Sequence, residues 1–347
     1  RRIILNNEAT VINGEGSIFD YAWINSNTTI NGGFVFDTLL LCEGRSYTLL
    51  SGSEQNIIDT LGLSGTCTSI ISLQSTTSGV TAALKKLGGN VKGSYLQIKD
   101  IESKGGALFI ANNTIDLGNN PGWIIQSPPL RVLYWVGGEG NWNDVNHWAI
   151  SSGGTGGECL PTVFDDVIFD INSFTTNNQI VTINISHAVC RTMDWSSVDK
   201  NPILAGIATN TLQIFGSLYL ASDMSNQFNG ELSFESNQSG NVIVSNGQPI
   251  KGVIYFRGLG SWTIHDNMYC IKSFNHLSGS IILNNILLTI NAGFYAGTIS
   301  PRELLTNEST VRINAGGTVI NTSNYYLEAT ASSWYIAGQN ELSEIYG

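Results

Sequence analysis

The sequence contains few charged residues. Lys and Arg total 16 and Asp and Glu total 27, which is 12% of the 347 residues, against about 25% in an ordinary soluble domain. Long surface helices need charged helix formers on the face that meets water, so this shortage argues against them. The net charge is −11, and no cluster of basic residues is larger than a pair. The balance of charge therefore excludes a protein that binds the nucleic-acid backbone.

The sequence also lacks long apolar runs. It has no stretch of about 18 apolar residues, so we expect no helix inserted in a membrane. Apolar residues nevertheless make up 42% of the chain and include eight tryptophans, which argues against disorder. The chain starts without Met and without the apolar core of a signal peptide, and we interpret it as a segment of a longer protein.

Apolar residues alternate with polar ones almost throughout, between clusters of Gly, Asn and Ser. This pattern predicts many short β-strands. Two places suggest helix instead. Val80–Leu87 reads VTAALKKL and ends at a Gly pair, and Pro301 suits the first turn of a short helix.

A glycine pattern repeats along the chain as apolar-x-Gly-x-apolar-x-apolar. The five copies are centred on Gly32, Gly216, Gly230, Gly252 and Gly279. A glycine that keeps its place before alternating apolar residues is typical of a corner in stacked coils. We therefore predict an all-β protein with parallel β-helix or β-solenoid coils and a second β subdomain. The short step between the second and third copies fits this poorly, and β-sandwich modules are the alternative.

Composition changes at two places. Residues 124–133 contain the only Pro-Pro pair and are interpreted as a linker. Residues 134–200 form a block rich in Trp and Gly, and the regular coils are predicted over 201–347. Residues 1–123 form the first β-rich part.

The five cysteines form no Cys-x-x-Cys pair, so no zinc ribbon or thioredoxin-type site is indicated. Cys42 with Cys67, and Cys159 with Cys190, are candidate disulfides in an oxidising compartment. The alternative is that these residues and Cys270 are buried thiols.

Three tryptophans lie close together in the sequence YWVGGEGNWNDVNHW, residues 134–148. Trp135, Trp142 and Trp148, with Asn143 between them, are candidate ligand-binding residues that stack on a sugar. Asn143 and Asp144 also supply oxygens of the kind that Ca²⁺ prefers. The alternative is structural, with the tryptophans covering the end of the coils.

Three aspartates follow in DDVIFD. Asp165, Asp166 and Asp170 are candidate calcium ligands, because Asp166 and Asp170 lie on one face of a strand. The alternatives are a solvated face, a cap for the following turn at Asn172-Ser173, and an acid/base pair. No other cofactor is indicated.

The same block carries a family resemblance. YWVGG…NHW and DDVIFD, with LSGTCTSIISLQS over 63–75 and the segment 94–123, resemble repeats of giant cell-surface adhesins of gliding Bacteroidetes, which the type IX secretion system exports. The resemblance implies that 1–123 is the C-terminal part of one repeat unit and that residue 134 opens the next. It also implies a cell-surface location, and as partners polysaccharides, solid surfaces, other adhesin segments or outer-membrane motility and secretion components.

The sequence is compatible with three alternative functions. The first is a non-enzymatic structural and adhesive module. The second is a carbohydrate-binding β-helix, for which an exposed aromatic row is expected, with Tyr255, Trp262, Tyr295 and Trp334 as candidates. The third is a polysaccharide lyase-like enzyme, which the scattered basic residues of 201–347 disfavour.

Overall fold

The computed structural model describes residues 1–6, 9–296, 300–314, 319–321, 325–336 and 344–346. The chain divides into two compact units, Arg1–Pro129 and Leu130–Gly347. Each unit is nearly all β and is built of parallel β-solenoid coils, about 15 turns in the two units together. The predicted solenoid is confirmed, and the β-sandwich alternative is wrong because successive strands stack in parallel rather than pair in antiparallel hairpins.

The described residues of unit 1, 1–6 and 9–129, contain 15 strands. They are β1 Arg2–Asn6, β2 Thr10–Asn13, β3 Ile18–Asn25, β4 Thr28–Asn31, β5 Val35–Leu41, β6 Ser46–Leu49, β7 Glu54–Ser64, β8 Ile71–Ser75, β9 Ala82–Lys86, β10 Asn90–Ser94, β11 Leu96–Lys99, β12 Ile101–Lys104, β13 Leu108–Asn112, β14 Ile115–Asp116 and β15 Trp123–Gln126.

Each coil of unit 1 passes through two sheets. In the nine-strand sheet, seven strands follow the order β1-β3-β5-β7-β10-β13-β15, and β9 and β12 pair beside this path. The six-strand sheet has the order β2-β4-β6-β8-β11-β14. The long strand β7 pairs with β9 through its first half and with β10 through its second. In the next coil, β12 pairs with β9 and β13 pairs with β10. Side chains that point between the two sheets form one core, with Ala22, Ile24 and Phe36 fully buried.

Unit 2 contains the other strands and a short 3₁₀ helix at Val145–His147. The strands are β16 Val132–Trp135, β17 Gly140–Asn141, β18 Trp148–Ala149, β19 Asp166–Asp170, β20 Ile180–Ile183, β21 His187–Cys190, β22 Met193–Ser197, β23 Ile203–Gly206, β24 Thr211–Ile214, β25 Leu218–Tyr219, β26 Ser225–Phe228, β27 Glu231–Phe234, β28 Asn241–Val244, β29 Val253–Phe256, β30 Ser261–Ile264, β31 Met268–Cys270, β32 Phe274–His276, β33 Gly279–Leu283, β34 Leu287–Ile290, β35 Phe294–Ala296, β36 Arg302–Leu305, β37 Thr310–Ile313, β38 Val319–Asn321, β39 Tyr325–Glu328, β40 Ser333–Ile336 and β41 Glu344–Tyr346.

Each coil of unit 2 passes through three faces. The ten-strand sheet runs β18-β16-β19-β22-β25-β28-β30-β33-β36-β39, and the eight-strand sheet runs β21-β24-β27-β29-β32-β35-β38-β41. Between them lie two four-strand sheets, β17-β20-β23-β26 and β31-β34-β37-β40. The pairing of β16 with β18 is antiparallel, and the other named strand pairs of the described residues are parallel.

The glycine pattern marks the corners of these coils. A Cβ on Gly252 would lie 2.1 Å from the carbonyl oxygen of Gly230 in the coil below, so only glycine fits there. Both residues lead into the eight-strand sheet, whereas Gly216 and Gly279 lead into the ten-strand sheet. The short step between the second and third copies therefore joins two different corners of one coil.

Aromatic rings stack between coils inside unit 2. The ring centroids of Phe234 and Phe256 are 4.8 Å apart, those of Phe256 and Phe274 are 5.2 Å apart, and those of Phe274 and Phe294 are 5.5 Å apart. On the outside, amide side chains form hydrogen bonds between coils: Asn314 Nδ2 donates to Asn291 Oδ1 at 2.8 Å. Each coil is thus held to the next by packing inside and by hydrogen bonds outside.

Both helix predictions are wrong. Residues 82–86 form β9, which pairs in parallel with β7 and β12, and Ala82, Ala83 and Leu84 are buried. Residues 302–305 form β36, whose Arg302 pairs with Gly279 in β33. Pairing with neighbouring coils outweighs the local propensity of both segments. The helical turn of the described residues is too short to cross a membrane.

The two candidate disulfides are also wrong, because Cys42 and Cys190 are free thiols. Cys190 points into the core from β21, where burial raises the pKa of its thiol. Cys270 is likewise a buried free thiol. These thiols therefore act as small apolar side chains.

The division between the units falls inside the segment interpreted as a linker. Within that segment, β15 and β16 leave only residues 127–131 outside strands. The predicted boundary at residue 201 lies inside unit 2, where β19 to β22 already form coils and share one core with the later strands.

Candidate functional site

The tryptophan block opens unit 2 and forms its first coil. β18 turns back antiparallel to β16, pairs Trp148 with Trp135, and is the terminal strand of the ten-strand sheet. Trp135, Trp142 and Trp148 are each at most 1% exposed. No face of these rings is open to a sugar, so the stacking interpretation of this block does not match its geometry.

The rings instead pack on one another. The Trp142 and Trp148 centroids lie 4.8 Å apart, and those of Trp135 and Trp148 lie 5.1 Å apart, all edge to face. The Trp135 Nε1–H donates to the Gly138 carbonyl at 2.6 Å, and the Trp148 Nε1–H donates to the Trp142 carbonyl at 2.9 Å. His147 stacks on Trp135 at 4.5 Å. The block covers the end of the coils, as the structural interpretation expected.

The polar residues of the block are engaged in local structure. Asn143 Oδ1 accepts from Asn184 Nδ2 at 2.7 Å, which is one step of an amide ladder. Asp144 precedes the 3₁₀ helix, and its Oδ1 accepts from the Asn146 backbone N–H at 3.0 Å. Both side chains therefore stabilise turns.

Asp165 lies in the interior and is paired with an arginine. Its carboxylate is 0% exposed, and it accepts from Arg131 Nε at 2.8 Å and from Arg131 Nη2 at 2.7 Å. The backbone N–H and the hydroxyl of Thr162 also donate to it, both at 2.7 Å. This carboxylate has a full set of donors and is not available to a cation.

Asp166 has a similar partner at the surface. Arg191 Nε and Nη2 donate to it at 2.8 and 2.5 Å. The strand alternates as predicted, with Val167 and Phe169 buried and Asp166 and Asp170 on the outer face. Asp170 accepts from the Asn172 backbone N–H at 2.9 Å and so closes the following turn.

These aspartates do not converge on a metal site. In the part of the chain that the structure describes, no three His, Cys, Asp or Glu side chains are grouped so that they could hold a metal ion. The candidate ligands Asp144, Asp165, Asp166 and Asp170 are each bound to donors of the protein itself. The calcium interpretation therefore has no ligand set among the described residues.

Two members of the predicted aromatic row do share a surface. Tyr255 pairs in register with Asn275, and Asn275 pairs with Tyr295, so one residue of each successive coil lies on the outer face of the eight-strand sheet. Trp262 is fully buried in the core instead, and Trp334 lies half-buried on a four-strand sheet. We call Tyr255, Asn275 and Tyr295 the tyrosine column.

Charged residues flank the tyrosine column. The Arg257 guanidinium lies over the Tyr255 ring, 3.9 Å from its centroid. Arg257 Nη1 also contacts Glu231 and donates to Ser233 Oγ at 2.7 Å, and it lies 3.7 Å from Glu235. Arg257, Glu231, Ser233 and Glu235 thus form a polar cluster beside the Tyr255 ring.

A second pair of aromatic residues on an outer face, in β3, was not identified from the sequence. Tyr21 and Trp23 alternate with the buried Ala22 and Ile24 in β3, so both rings point away from the core of unit 1. Trp23 lies in register between Ile4 and Leu40. The alternation around Ala22 could have identified this pair.

His276 is a buried titratable group of the later coils. Its Nε2–H donates to the Gly279 carbonyl at 3.0 Å, and its Nδ1 lies 3.3 Å from the Tyr325 hydroxyl. Burial, with a smaller contribution from Arg302, lowers the pKa of His276 to about 4. The imidazole is therefore neutral near pH 7.

Comparison with protein-family models, curated proteins and solved structures finds no match for this chain.

Proposed function

We propose that the chain is a non-enzymatic structural and adhesive module of a long bacterial cell-surface adhesin, involved in surface attachment and gliding motility. The resemblance of the Trp/Gly-rich block supports this assignment. The stacked parallel coils support it too, because a solenoid presents extended flat surfaces. The candidate ligand and metal residues of the block serve to hold its coils together, which fits a structural element.

One observation carries the adhesive part of the proposal. The outer face of the six-strand sheet presents a column of four uncharged side chains from successive coils, which Lys99 follows in register. On the six-strand sheet, Val11 pairs with Thr29, Thr29 with Thr48, and Thr48 with Gln74. Such a column offers methyl, hydroxyl and amide groups at a regular spacing of about 4.8 Å. We infer that it suits repetitive partners, namely polysaccharides or solid surfaces.

The experiment is attachment of beads coated with the whole chain to glass under flow. Because the column is uncharged, we expect bead retention to change little between about 0.1 and 1 M ionic strength, which shortens the Debye length from about 10 to about 3 Å. A variant with Thr29, Thr48 and Gln74 changed to Glu should lose retention at low salt. Beads that never attach, or that detach as salt rises, would contradict the proposal.

The control for that variant places the same added charge elsewhere on unit 1. Thr60, Asn90 and Leu108 are exposed on the nine-strand sheet and are changed to Glu together. If both triple variants lose retention equally, net charge rather than the six-strand face governs attachment.

The lyase-like alternative is tested separately. We expect no unsaturated sugar to be released from polyuronides with Ca²⁺ present. Steady release that scales with protein concentration would overturn the non-enzymatic assignment.

A further inference from the structure

The structure assigns a specific ligand class to the tyrosine column: we propose that Tyr255 and Tyr295, with the buried Asn275 between them, bind a single chain of a neutral β-1,4-linked polysaccharide lying along the coil axis. This inference rests on the proposed adhesive function and specifies which surface takes a polysaccharide.

The spacing of the column carries the first step. The three residues are in parallel register on adjacent strands, and adjacent strands lie about 4.8 Å apart. One sugar lengthens a β-1,4-linked chain by a similar distance, so one sugar fits each coil. Alternate sugars of such a chain are rotated by a half turn and present the same face. The two tyrosines are two coils apart, which matches this two-sugar repeat. Asn275 lies between them, is buried, and donates its amide to the Ile254 carbonyl at 2.9 Å, so the middle sugar would pass over it.

The orientation of Tyr295 carries the second step. A Cβ placed on Gly293 would lie 2.5 Å from Tyr295 Cζ and 2.6 Å from its hydroxyl oxygen. The ring therefore lies down against the backbone of Gly293, and Gly293 is buried although Tyr295 is 37% exposed. A ring that lies flat on a sheet presents its face to solvent, which is the geometry that stacking on a sugar requires.

Hydrogen-bond donors next to the rings carry the third step. Arg257 stacks on Tyr255 and uses its Nη1 for Ser233 and Glu231. Its side chain is 33% exposed, and among the described contacts its Nε and Nη2 groups donate to no protein acceptor. These donors, beside the Tyr255 ring, can reach the hydroxyls of a bound sugar.

The charge of the flank selects a neutral chain. Glu231 and Glu235 both lie within 4 Å of the Nη1 of Arg257, the single guanidinium of this cluster. Two carboxylates against one cation repel a polyuronide, whereas the hydroxyls of a neutral glycan accept from Arg257 and donate to the glutamates.

The test is titration of the whole chain with cellohexaose by calorimetry, with polygalacturonate oligomers as the charged comparison. We expect binding of cellohexaose and no binding of the polyuronide. Tyr295→Ala and Tyr255→Ala should each weaken the affinity about tenfold, and Tyr295→Phe should keep it, because the ring remains. The control is Tyr335→Ala, which removes a tyrosine that is 55% exposed on a four-strand sheet.

Several results would overturn the inference. They are no binding of cellohexaose by the unmodified chain, unchanged affinity in both Ala variants, or an equal loss in Tyr335→Ala. Retention of beads on glass is measured in parallel. Beads that attach although cellohexaose does not bind would overturn only this assignment, whereas loss of attachment would overturn the proposed function itself.

Discussion

The buried carboxylate of Asp165 accepts two hydrogen bonds from the Arg131 guanidinium, of 2.8 Å from Nε and 2.7 Å from Nη2. Asp165 precedes β19 and Arg131 precedes β16, so this pair joins the first coil of unit 2 to the second. The negative charge of Asp165 therefore stabilises the contact between two coils and is not available to a ligand.

Removal of this carboxylate should therefore be costly. We expect Asp165→Ala to lower the free energy of unfolding by about 3–5 kcal/mol, because it leaves a partly buried guanidinium without its anion. Asp166→Ala is the matched control. Arg191 is 38% exposed, so loss of that partner should cost about 1 kcal/mol or less. Denaturant unfolding of both variants checks this, and equal losses would contradict it.

Calcium should not affect stability. The four candidate aspartates accept from donors of the protein, and no acidic cluster of the described residues could hold a metal. We expect the thermal midpoint to be the same with Ca²⁺ and with EGTA. A midpoint that rises in proportion to the logarithm of Ca²⁺ concentration would show a site that these residues do not explain.

The tryptophan block should behave as core. Trp148→Ala removes a fully buried ring that contacts Trp135 and Trp142, so we expect a loss of about 3–5 kcal/mol in the free energy of unfolding. Tyr335→Ala, on an exposed ring, should change it by about 0.5 kcal/mol or less. If Trp148→Ala folds with normal stability, the ring is not part of the core.

Stability should fall as the pH falls from neutral. The folded protein holds the pKa of His276 at about 4, below its ordinary value of 6.5. The unfolded chain therefore binds a proton first, and stability is lost progressively between pH 6.5 and about 4, by up to about 3 kcal/mol. Arg302 and the Tyr325 hydroxyl face this imidazole, and the positive charge of Arg302 further disfavours the protonated form.

The measurement is denaturant unfolding across that pH range, compared with His276→Gln. The variant cannot bind the proton, so the difference in unfolding free energy between the two proteins should shrink as the pH falls. A difference that stays constant would mean that His276 keeps an ordinary pKa in the folded protein.

Much of the architecture is readable from local patterns. Alternation predicts which side of each strand is inside, as with Val167 and Phe169, and glycines such as Gly252 mark corners because a coil below leaves no room for a Cβ. The same local information misleads over 80–87, where helix propensity is overridden by pairing with two neighbouring strands.

The candidate site is less readable, because it depends on contacts between distant positions. Arg131 and Asp165 are 34 residues apart, and nothing near DDVIFD indicates that its first carboxylate is buried and paired. The tyrosine column is equally difficult to predict from the sequence. Tyr255 and Tyr295 are identifiable as candidates, but their alignment depends on the length of two intervening coils.

The parallel stacking of coils in unit 2 also has a mechanical consequence. Among the described residues, strand pairing joins each coil only to the coil before it and the coil after it, through backbone hydrogen bonds that point along the stack. A force that separates the first coil from the last acts on these layers in series, so the weakest layer opens first and releases one loop of chain. The unit would then lengthen in steps under load while the remaining coils stay folded.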